Sequence, residues 1–130
     1  DGAAGVMERC EATGNAYTGI AVMSGADPLL RDCRFGDNRQ AGALVSKGGR
    51  GRFEDGRIDG NARAGMEVRE GGAPVGRGGV VTGNGYEAVW IVDAESGGSF
   101  TGVDLRGNAR GAWDVAEGAE ANLERRDNRE

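Results

Sequence analysis

The sequence predicts an all-β fold, a right-handed parallel β-helix (solenoid) of about five coils with roughly 23 residues each. Three observations lead to this prediction. Asparagine recurs at intervals of 23, 23, 23 and 24 residues. An apolar pattern with a period of two follows each of these asparagines, and glycine, aspartate or asparagine separates the apolar segments. The recurring residues are Asn15, Asn38, Asn61, Asn84 and Asn108.

A short strand is predicted shortly after each asparagine. In the third repeat, Met66 and Val68 are apolar while Glu67 between them is charged, and such alternation is typical of a strand with one buried face. The same three positions of the five repeats are IAV, ALV, MEV, VWI and WDV. The first and third columns are therefore predicted to point inward, with Trp113 in the core, and the middle column outward.

Two further apolar columns precede each asparagine. One contains Leu30 and Phe53, and the other contains Phe35 and Ile58. No segment has helical periodicity, so each coil is expected to consist of short strands and corners. Parallel strands joined by a crossover are almost always right-handed, which gives the predicted hand. Stacked coils bury these columns in one core that a single repeat could not form.

The asparagine column is predicted to lie at a sharp corner between strands. Asparagine tolerates the left-handed backbone conformation that such a corner needs. Its amide can also bond to the equivalent amide one coil away, as in the asparagine ladders of stacked strands. The five asparagines are therefore expected to form a structural ladder along the solenoid.

We expect one β-helix domain over residues 1–130, as part of a longer protein, because the sequence does not begin with methionine. The predicted coils cover approximately residues 5–28, 29–51, 52–74, 75–98 and 99–121, with a partial coil over 122–130. Pro28 and Pro74 fall at equivalent corners, which suits a residue that central strands exclude. Leu123 is expected to fall in the same column as Phe53.

Composition and net charge argue against some classes of binding partner for this chain. The 26 glycines and the mean hydropathy of -0.51 are typical of disorder, but the apolar columns indicate a packed core. The net charge of -5 disfavours nucleic acid, whose phosphates need a basic surface. No apolar run is long enough to span a membrane, and no signal peptide is recognisable. We expect neither a nucleic-acid nor a membrane partner, and the cytoplasm is the favoured compartment.

Cys10 and Cys33 occupy one column of adjacent coils, five residues before their asparagines. Such residues can approach disulfide distance, although a bridge also needs suitable side-chain directions. Free cysteine is often buried, so two reduced thiols are the favoured interpretation and a disulfide is the alternative. Histidine is absent and the cysteine spacing fits no zinc site, so we expect no metal and no other cofactor.

The outward middle column contains the candidate binding residues. We name Leu44, Glu67, Trp90 and Asp114, with Tyr86 at their flank, the outward strip. Arg69 and Asp93 are also expected to flank it. Trp and Tyr are enriched at interface hot spots, which favours a binding role; the alternative is that Trp90 only covers a glycine-rich coil. Glu67 and Asp114 are predicted about 10 Å apart, marginal for the 6.5–9.5 Å of inverting glycosidases, so no catalytic residue is assigned.

The repeated segments resemble the parallel β-helix repeats of the pectate-lyase superfold. The resemblance is carried by the strands GIAV, GMEV and AWDV, their glycine-rich corners, and the segments PLLRDCRFGDN and GRFEDGRIDGN, and it covers residues 5–126. It is closest to non-catalytic modules. Similar repeats form the substrate-recruiting region of certain F-box subunits of ubiquitin ligases, and similar bacterial modules are fused to ATPase or other enzymatic domains.

The lyases and hydrolases of this superfold carry clustered Asp, Arg or Lys, with calcium in many lyases, on long loops beside one sheet. The corners predicted here are short and match no such cluster. The resemblance therefore implies a non-catalytic protein-interaction or scaffold module of a larger protein, and the high Arg, Ala and Gly content favours a bacterial source. A carbohydrate-binding module, or a remnant of a polysaccharide lyase or hydrolase, is the alternative. Unpaired strand edges also favour self-association through the open ends of the solenoid.

Overall fold

A computed structural model describes residues 5–130, which wind through three parallel sheets. The short strands are β1 (Val6–Glu8), β2 (Glu11–Thr13), β3 (Ile20–Val22), β4 (Leu29–Arg31), β5 (Arg34–Gly36), β6 (Ala43–Val45), β7 (Arg52–Glu54), β8 (Arg57–Asp59), β9 (Met66–Val68), β10 (Val75–Arg77), β11 (Val80–Thr82), β12 (Val89–Ile91), β13 (Gly98–Thr101), β14 (Trp113–Val115) and β15 (Leu123–Arg126). A 3-10 helix, Ala119–Asn122, precedes β15.

Successive coils stack strand on strand, as the repeat predicts. The first sheet has the order β1-β4-β7-β10-β13-β15, the second β2-β5-β8-β11, and the third β3-β6-β9-β12-β14. Neighbouring strands in all three sheets are parallel. In the fifth coil the second-sheet strand shrinks to a bridge at Asp104, which pairs with Val80 and Arg129. The architecture is the predicted all-β parallel solenoid.

The inward columns of the three sheets form one continuous core. The buried inward residues are Leu30, Phe53 and Phe100 in the first sheet, Phe35, Ile58 and Val81 in the second, and Ala43, Val45, Met66, Val68, Val89 and Ile91 in the third. Trp113 also points inward, as predicted. It packs edge to face on Phe100, with ring centroids 5.3 Å apart. Core packing therefore places the middle residue of each third-sheet strand on the outside.

Gly76 in the fourth coil leaves room for a large neighbour. A Cβ atom built on Gly76 would lie 2.8 Å from Cδ2 of Phe100, closer than real Cβ contacts allow. The Phe100 ring thus fills the space that a side chain at position 76 would need. An apolar cavity of about 30 Å³ remains, lined by Phe53, Gly76 and Phe100 among others.

The asparagines form the predicted ladder between the second and third sheets. The Oδ1 atom of Asn61 accepts hydrogen bonds from the main-chain N (3.0 Å) and Nδ2 (2.9 Å) of Asn38. The Nδ2 atom of Asn61 donates to the main-chain oxygen of Phe35 (3.1 Å) and to Oδ1 of Asn84 (2.9 Å). Asn15 and Asn108 continue the ladder at its two ends. Each buried amide therefore joins three consecutive coils.

The prediction that asparagine itself adopts the left-handed conformation is wrong. The residue before each ladder asparagine adopts it instead, as at Asp37 (φ 56°) and Gly60 (φ 69°). This residue turns the chain, and the asparagine that follows can then direct its amide along the solenoid axis. The turning and bonding roles are thus divided between two adjacent residues.

The predicted column of Leu123 is also wrong. Arg125 is the rung partner of Phe100, whereas Leu123 pairs with Gly98, two positions earlier. The 3-10 helix before β15 occupies the corner and shifts the register. Asn128 then closes this end, because its Nδ2 donates to the main-chain oxygen of Phe100 at 2.9 Å.

Cys10 and Cys33 are free thiols in the structure, in agreement with the favoured interpretation. Cys33 is buried, and its Sγ lies 3.4 Å from the main-chain oxygen of Arg31. Burial raises the pKa of the Cys33 thiol, because a thiolate would lose its hydration there. The cysteine column therefore contributes packing to the core.

Candidate interaction surface on the third sheet

The four strand residues of the outward strip are consecutive rung partners. Leu44 pairs with Glu67, Glu67 with Trp90, and Trp90 with Asp114. Strand spacing places neighbouring members about 4.8 Å apart, and Glu67 about 10 Å from Asp114. The predicted alignment of these four residues in one outward column of the third sheet is therefore correct. Their binding role stays a prediction.

Tyr86, Trp90 and Arg110 form a cluster at the edge of the strip. The Tyr86 and Trp90 rings have centroids 6.4 Å apart and planes inclined by 62°, an edge-to-face contact. The Cζ atom of Arg110 lies 3.9 Å from the centre of the Tyr86 ring, which is a cation–π contact. Both rings are half-buried and Arg110 is exposed. Two aromatic side chains and a guanidinium thus share one small area.

Sequence reasoning missed Arg110, although a signal was available. Arg110 stands two residues after Asn108, and Tyr86 stands two residues after Asn84. The two therefore occupy one column in adjacent coils. The main-chain N of Arg110 donates to the oxygen of Tyr86 at 3.2 Å, which confirms that they are stacked neighbours.

Glu67 is less accessible than its outward position suggests. Only 9% of the residue is exposed, and its Oε2 lies 2.6 Å from Nη2 of Arg69. The Glu67 carboxylate is thus largely shielded from solvent and forms an ion pair with Arg69. Asp114, at the end of the strip, is exposed. The two acids therefore do not form a matched pair for proton transfer.

Asp93 fixes the corner at the far side of the third sheet. Its carboxylate accepts hydrogen bonds from Oγ of Ser96 (2.6 Å) and from the main-chain N of Glu70 (2.8 Å). The hydrogen bond from Ser96 lowers the pKa of Asp93. Asp93 therefore holds the turn beside the strip.

The outward faces of the first and second sheets carry ion pairs between coils. On the first, Arg31 lies 3.4 Å from Glu8 and 3.5 Å from Glu54. On the second, Arg34 lies 3.0 Å from Asp59. The exposed Arg31–Glu8 pair contributes at most about 1 kcal/mol, as is usual at a protein surface. Part of the charge on these faces is therefore neutralised between coils, whereas Arg77 of the first face forms no ion pair among residues 5–130.

Two acids of the second face have lowered pKa values. Burial tends to raise the pKa of Asp59, but hydrogen bonds from Arg34 and Arg57 outweigh it and the pKa falls. The hydrogen bond from the Arg106 guanidinium lowers the pKa of Asp104 to about 2. Both carboxylates are therefore tied to arginines of their own face.

The aromatic side chains are divided between the core and the outward surface near the third sheet. All three phenylalanines are buried in the core. Trp90 lies on the third sheet, and Tyr86 lies at the corner that leads into it. Tyr17 occupies the equivalent corner of the first coil and is 71% exposed. The accessible aromatic surface of residues 5–130 is therefore concentrated on one face.

Residues 5–130 contain no group of three or more Cys, Asp or Glu side chains placed to hold a metal ion. In the same part of the chain, no helix is long and apolar enough to cross a membrane.

Three stacked parallel sheets, a single core and an asparagine ladder define a parallel β-helix solenoid. The family model described as "Right handed beta helix region" matches residues 1–127. The chain therefore belongs to the right-handed β-helix family, in agreement with the predicted hand and with the resemblance seen in the repeats.

The fold is also similar to that of the periplasmic alginate epimerase AlgG. The crystal structure of that enzyme matches with a TM-score of 0.69 and 13% sequence identity. The match covers 95% of this chain and 39% of the epimerase. At this identity the similarity shows the fold alone, and the chain spans well under half of the epimerase. A search of curated proteins found no significant match.

Proposed function

We propose that this chain is a non-catalytic β-helix module that binds a protein partner through the outward strip, as part of a larger protein. The observation that carries the proposal is the cluster of Tyr86, Trp90 and Arg110. Trp, Tyr and Arg are the residue types most enriched among interface hot spots, because they combine large apolar area with polar contacts. The three stand together on one face of a rigid sheet.

The packing beneath Trp90 makes this face well suited to binding. Its strand neighbours Val89 and Ile91 point inward and are fully buried, with 0% exposure. The backbone of Trp90 is also held by rung partners on both sides. A partner would therefore meet an ordered surface and would not have to order a loop, which limits the entropic cost of association.

The geometry favours a protein partner over a carbohydrate. Glu67 is only 9% exposed and one of its oxygens is paired with Arg69, so it offers few accessible acceptors to sugar hydroxyls. Arg110 covers the Tyr86 ring, which leaves Trp90 as the principal stacking surface. The structural neighbour is described as an alginate epimerase, but the likeness extends to the fold only. A carbohydrate-binding module, or a remnant of a polysaccharide-degrading enzyme, remains the alternative for experiment.

A comparison of two serine variants tests the proposal. We would immobilise the wild-type chain, Trp90→Ser and Val75→Ser, expose them to a lysate of the source organism, and identify bound proteins by mass spectrometry. Val75 is a partly exposed apolar residue on the first sheet, so it controls for loss of apolar surface elsewhere. We expect a partner that the wild type and Val75→Ser retain and Trp90→Ser loses. The partner would then be purified and its affinity measured directly.

Two outcomes would count against a protein partner. In the first, all three proteins recover the same background. In the second, no protein depends on Trp90, whereas a glycan panel that includes alginate binds the wild type and not Trp90→Ser. The second result would move the carbohydrate alternative ahead.

A further inference from the structure

A second column runs along the edge of the outward strip, at the corner that follows the asparagine ladder. Its members stand two residues after each ladder asparagine. They are Tyr17, Gln40, Arg63, Tyr86 and Arg110, and we name them the corner column. Main-chain hydrogen bonds of 3.2–3.4 Å join each member to the next coil. The five side chains are therefore stacked along the solenoid axis, one in each coil.

The arginines of the corner column have no ion-pair partner within residues 5–130. Arg63 and Arg110 are exposed, and neither lies within ion-pair distance of a described carboxylate. The same is true of Arg39, one residue before the column. On the other two faces Arg31 and Arg34 are paired, whereas the exposed Arg77 also has no ion pair among the described residues. In a chain with a net charge of -5, the corner column therefore carries two exposed arginines that form no ion pair among the described residues.

The spacing of these charges matches an extended peptide. Arg63 and Arg110 are two rungs apart, about 10 Å by strand spacing, with Tyr86 between them. An extended chain covers this distance in about three residues, at roughly 3.4 Å per residue. Guanidinium groups bind carboxylates through two parallel hydrogen bonds, which gives both affinity and geometric selectivity. Trp90, in contact with Tyr86, offers apolar surface beside the same line.

We infer that the segment bound by the outward strip is an acidic peptide, with two carboxylates that bind Arg63 and Arg110 and an apolar side chain between them that packs on Trp90. This inference rests on the proposed function and adds the chemistry of the partner. Asp114, exposed on the rung next to Trp90, repels a further carboxylate on the far side of the strip. The acids are therefore confined to the edge formed by the corner column.

Selection of random peptides displayed on phage tests the inference without a known partner. The targets are the wild type, Trp90→Ser, the charge-reversed variant R63E/R110E, and the control R50E/R77E. Arg50 and Arg77 are exposed, and both double variants change the net charge equally. We expect the wild type and the control to enrich peptides with acids on both sides of an apolar residue. We expect R63E/R110E to enrich basic residues at those positions.

Affinity measurements on the best synthetic peptide complete the test. We expect R63E/R110E to bind it at least about tenfold more weakly, and R50E/R77E to bind it as the wild type does. Arg63→Gln removes one charge and leaves Arg110 on the Tyr86 ring, so it serves if the double variant fails to fold. Circular dichroism would establish the fold of every variant.

The outcomes separate this inference from the proposed function. Peptides that need Trp90 but show no preference for acids would overturn the inference and leave the proposed function intact. Failure to select any peptide that Trp90→Ser loses would count against both. Binding of an acidic polysaccharide through Arg63 and Arg110, with no peptide binding, would also overturn the inference and favour the carbohydrate alternative.

Discussion

The asparagine ladder and the outward strip differ sharply, although both repeat once per coil. The ladder position is asparagine in all five coils, whereas the strip position is Ala, Leu, Glu, Trp and Asp in turn. Asn38, Asn61 and Asn84 are 2% exposed, and each amide bonds to the next coil. The strip residues form hydrogen bonds to the next coil through their main chains alone. Their side chains are therefore free to vary.

This difference distinguishes the positions that stabilise the solenoid from the positions at which substitutions are tolerated. A ladder residue has donors and acceptors that must be satisfied inside the protein, so its chemistry is constrained. An outward residue meets solvent or a partner and is constrained by binding alone. Function can thus be changed on the third face without a change in the hydrogen bonds that hold the coils together.

Asn61→Ala should produce the largest loss of stability, about 3 kcal/mol or more, because it leaves buried donors and acceptors of neighbouring coils without partners. Urea denaturation followed by circular dichroism would measure it. Asn15→Ala, at the exposed end of the ladder, is the matched control and should cost about 1 kcal/mol or less. Equal losses at the two positions would show that burial does not govern the ladder.

Acidification should produce an intermediate loss that spares the ladder, which has no titratable group. The pKa of Asp104 is lowered from 3.8 to about 2 and that of Asp59 is also lowered, so both carboxylates stabilise the fold above their unfolded pKa. Their contribution is lost as the pH falls from about 4 to about 2. Denaturation at several pH values should show a flatter profile for Asp59→Asn/Asp104→Asn than for the wild type. Identical profiles would mean that these ion pairs do not stabilise the fold.

Trp90→Ser should produce the smallest change, no more than about 1 kcal/mol, because Trp90 points away from the core. Ile91→Ala, one residue further along the same strand, removes a fully buried side chain and should cost about 3 kcal/mol. The same denaturation experiment would compare them. A loss for Trp90→Ser as large as that for Ile91→Ala would mean that Trp90 is part of the structural framework, and the strip would lose its main candidate for recognition.

The inward columns and the ladder could be predicted because a fixed offset of 23 or 24 residues places every core residue over its equivalent. The register of Leu44, Glu67 and Trp90 followed from the same offset. What surrounds an outward side chain could not be predicted in this way. The pairing of Glu67 with Arg69 depends on the conformations of two long side chains, and a repeat pattern contains no information on them.

Two corner details also escaped sequence reasoning, for physical reasons. The left-handed residue was assigned to asparagine because Asn tolerates that conformation, but Gly60 tolerates it better and leaves Asn61 free to bond. The register of Leu123 was extrapolated from earlier coils, yet the Ala- and Glu-rich segment 119–122 forms a helical turn that changes the spacing. Local propensity outweighed the repeat at the end of the solenoid.

The ladder also affects the rate of asparagine deamidation in this protein. Asn84 is followed by Gly85, and asparagine before glycine loses ammonia readily when the glycine nitrogen attacks the side-chain carbonyl carbon. Here the Gly85 nitrogen donates to the main-chain oxygen of Asn61 at 2.9 Å, and the Asn84 amide is held by Asn108 and by the oxygen of Ile58. Nucleophile and target are each bound to another coil. Chemical damage at this position is therefore tied to the opening of the coil and proceeds slowly while the solenoid stays closed.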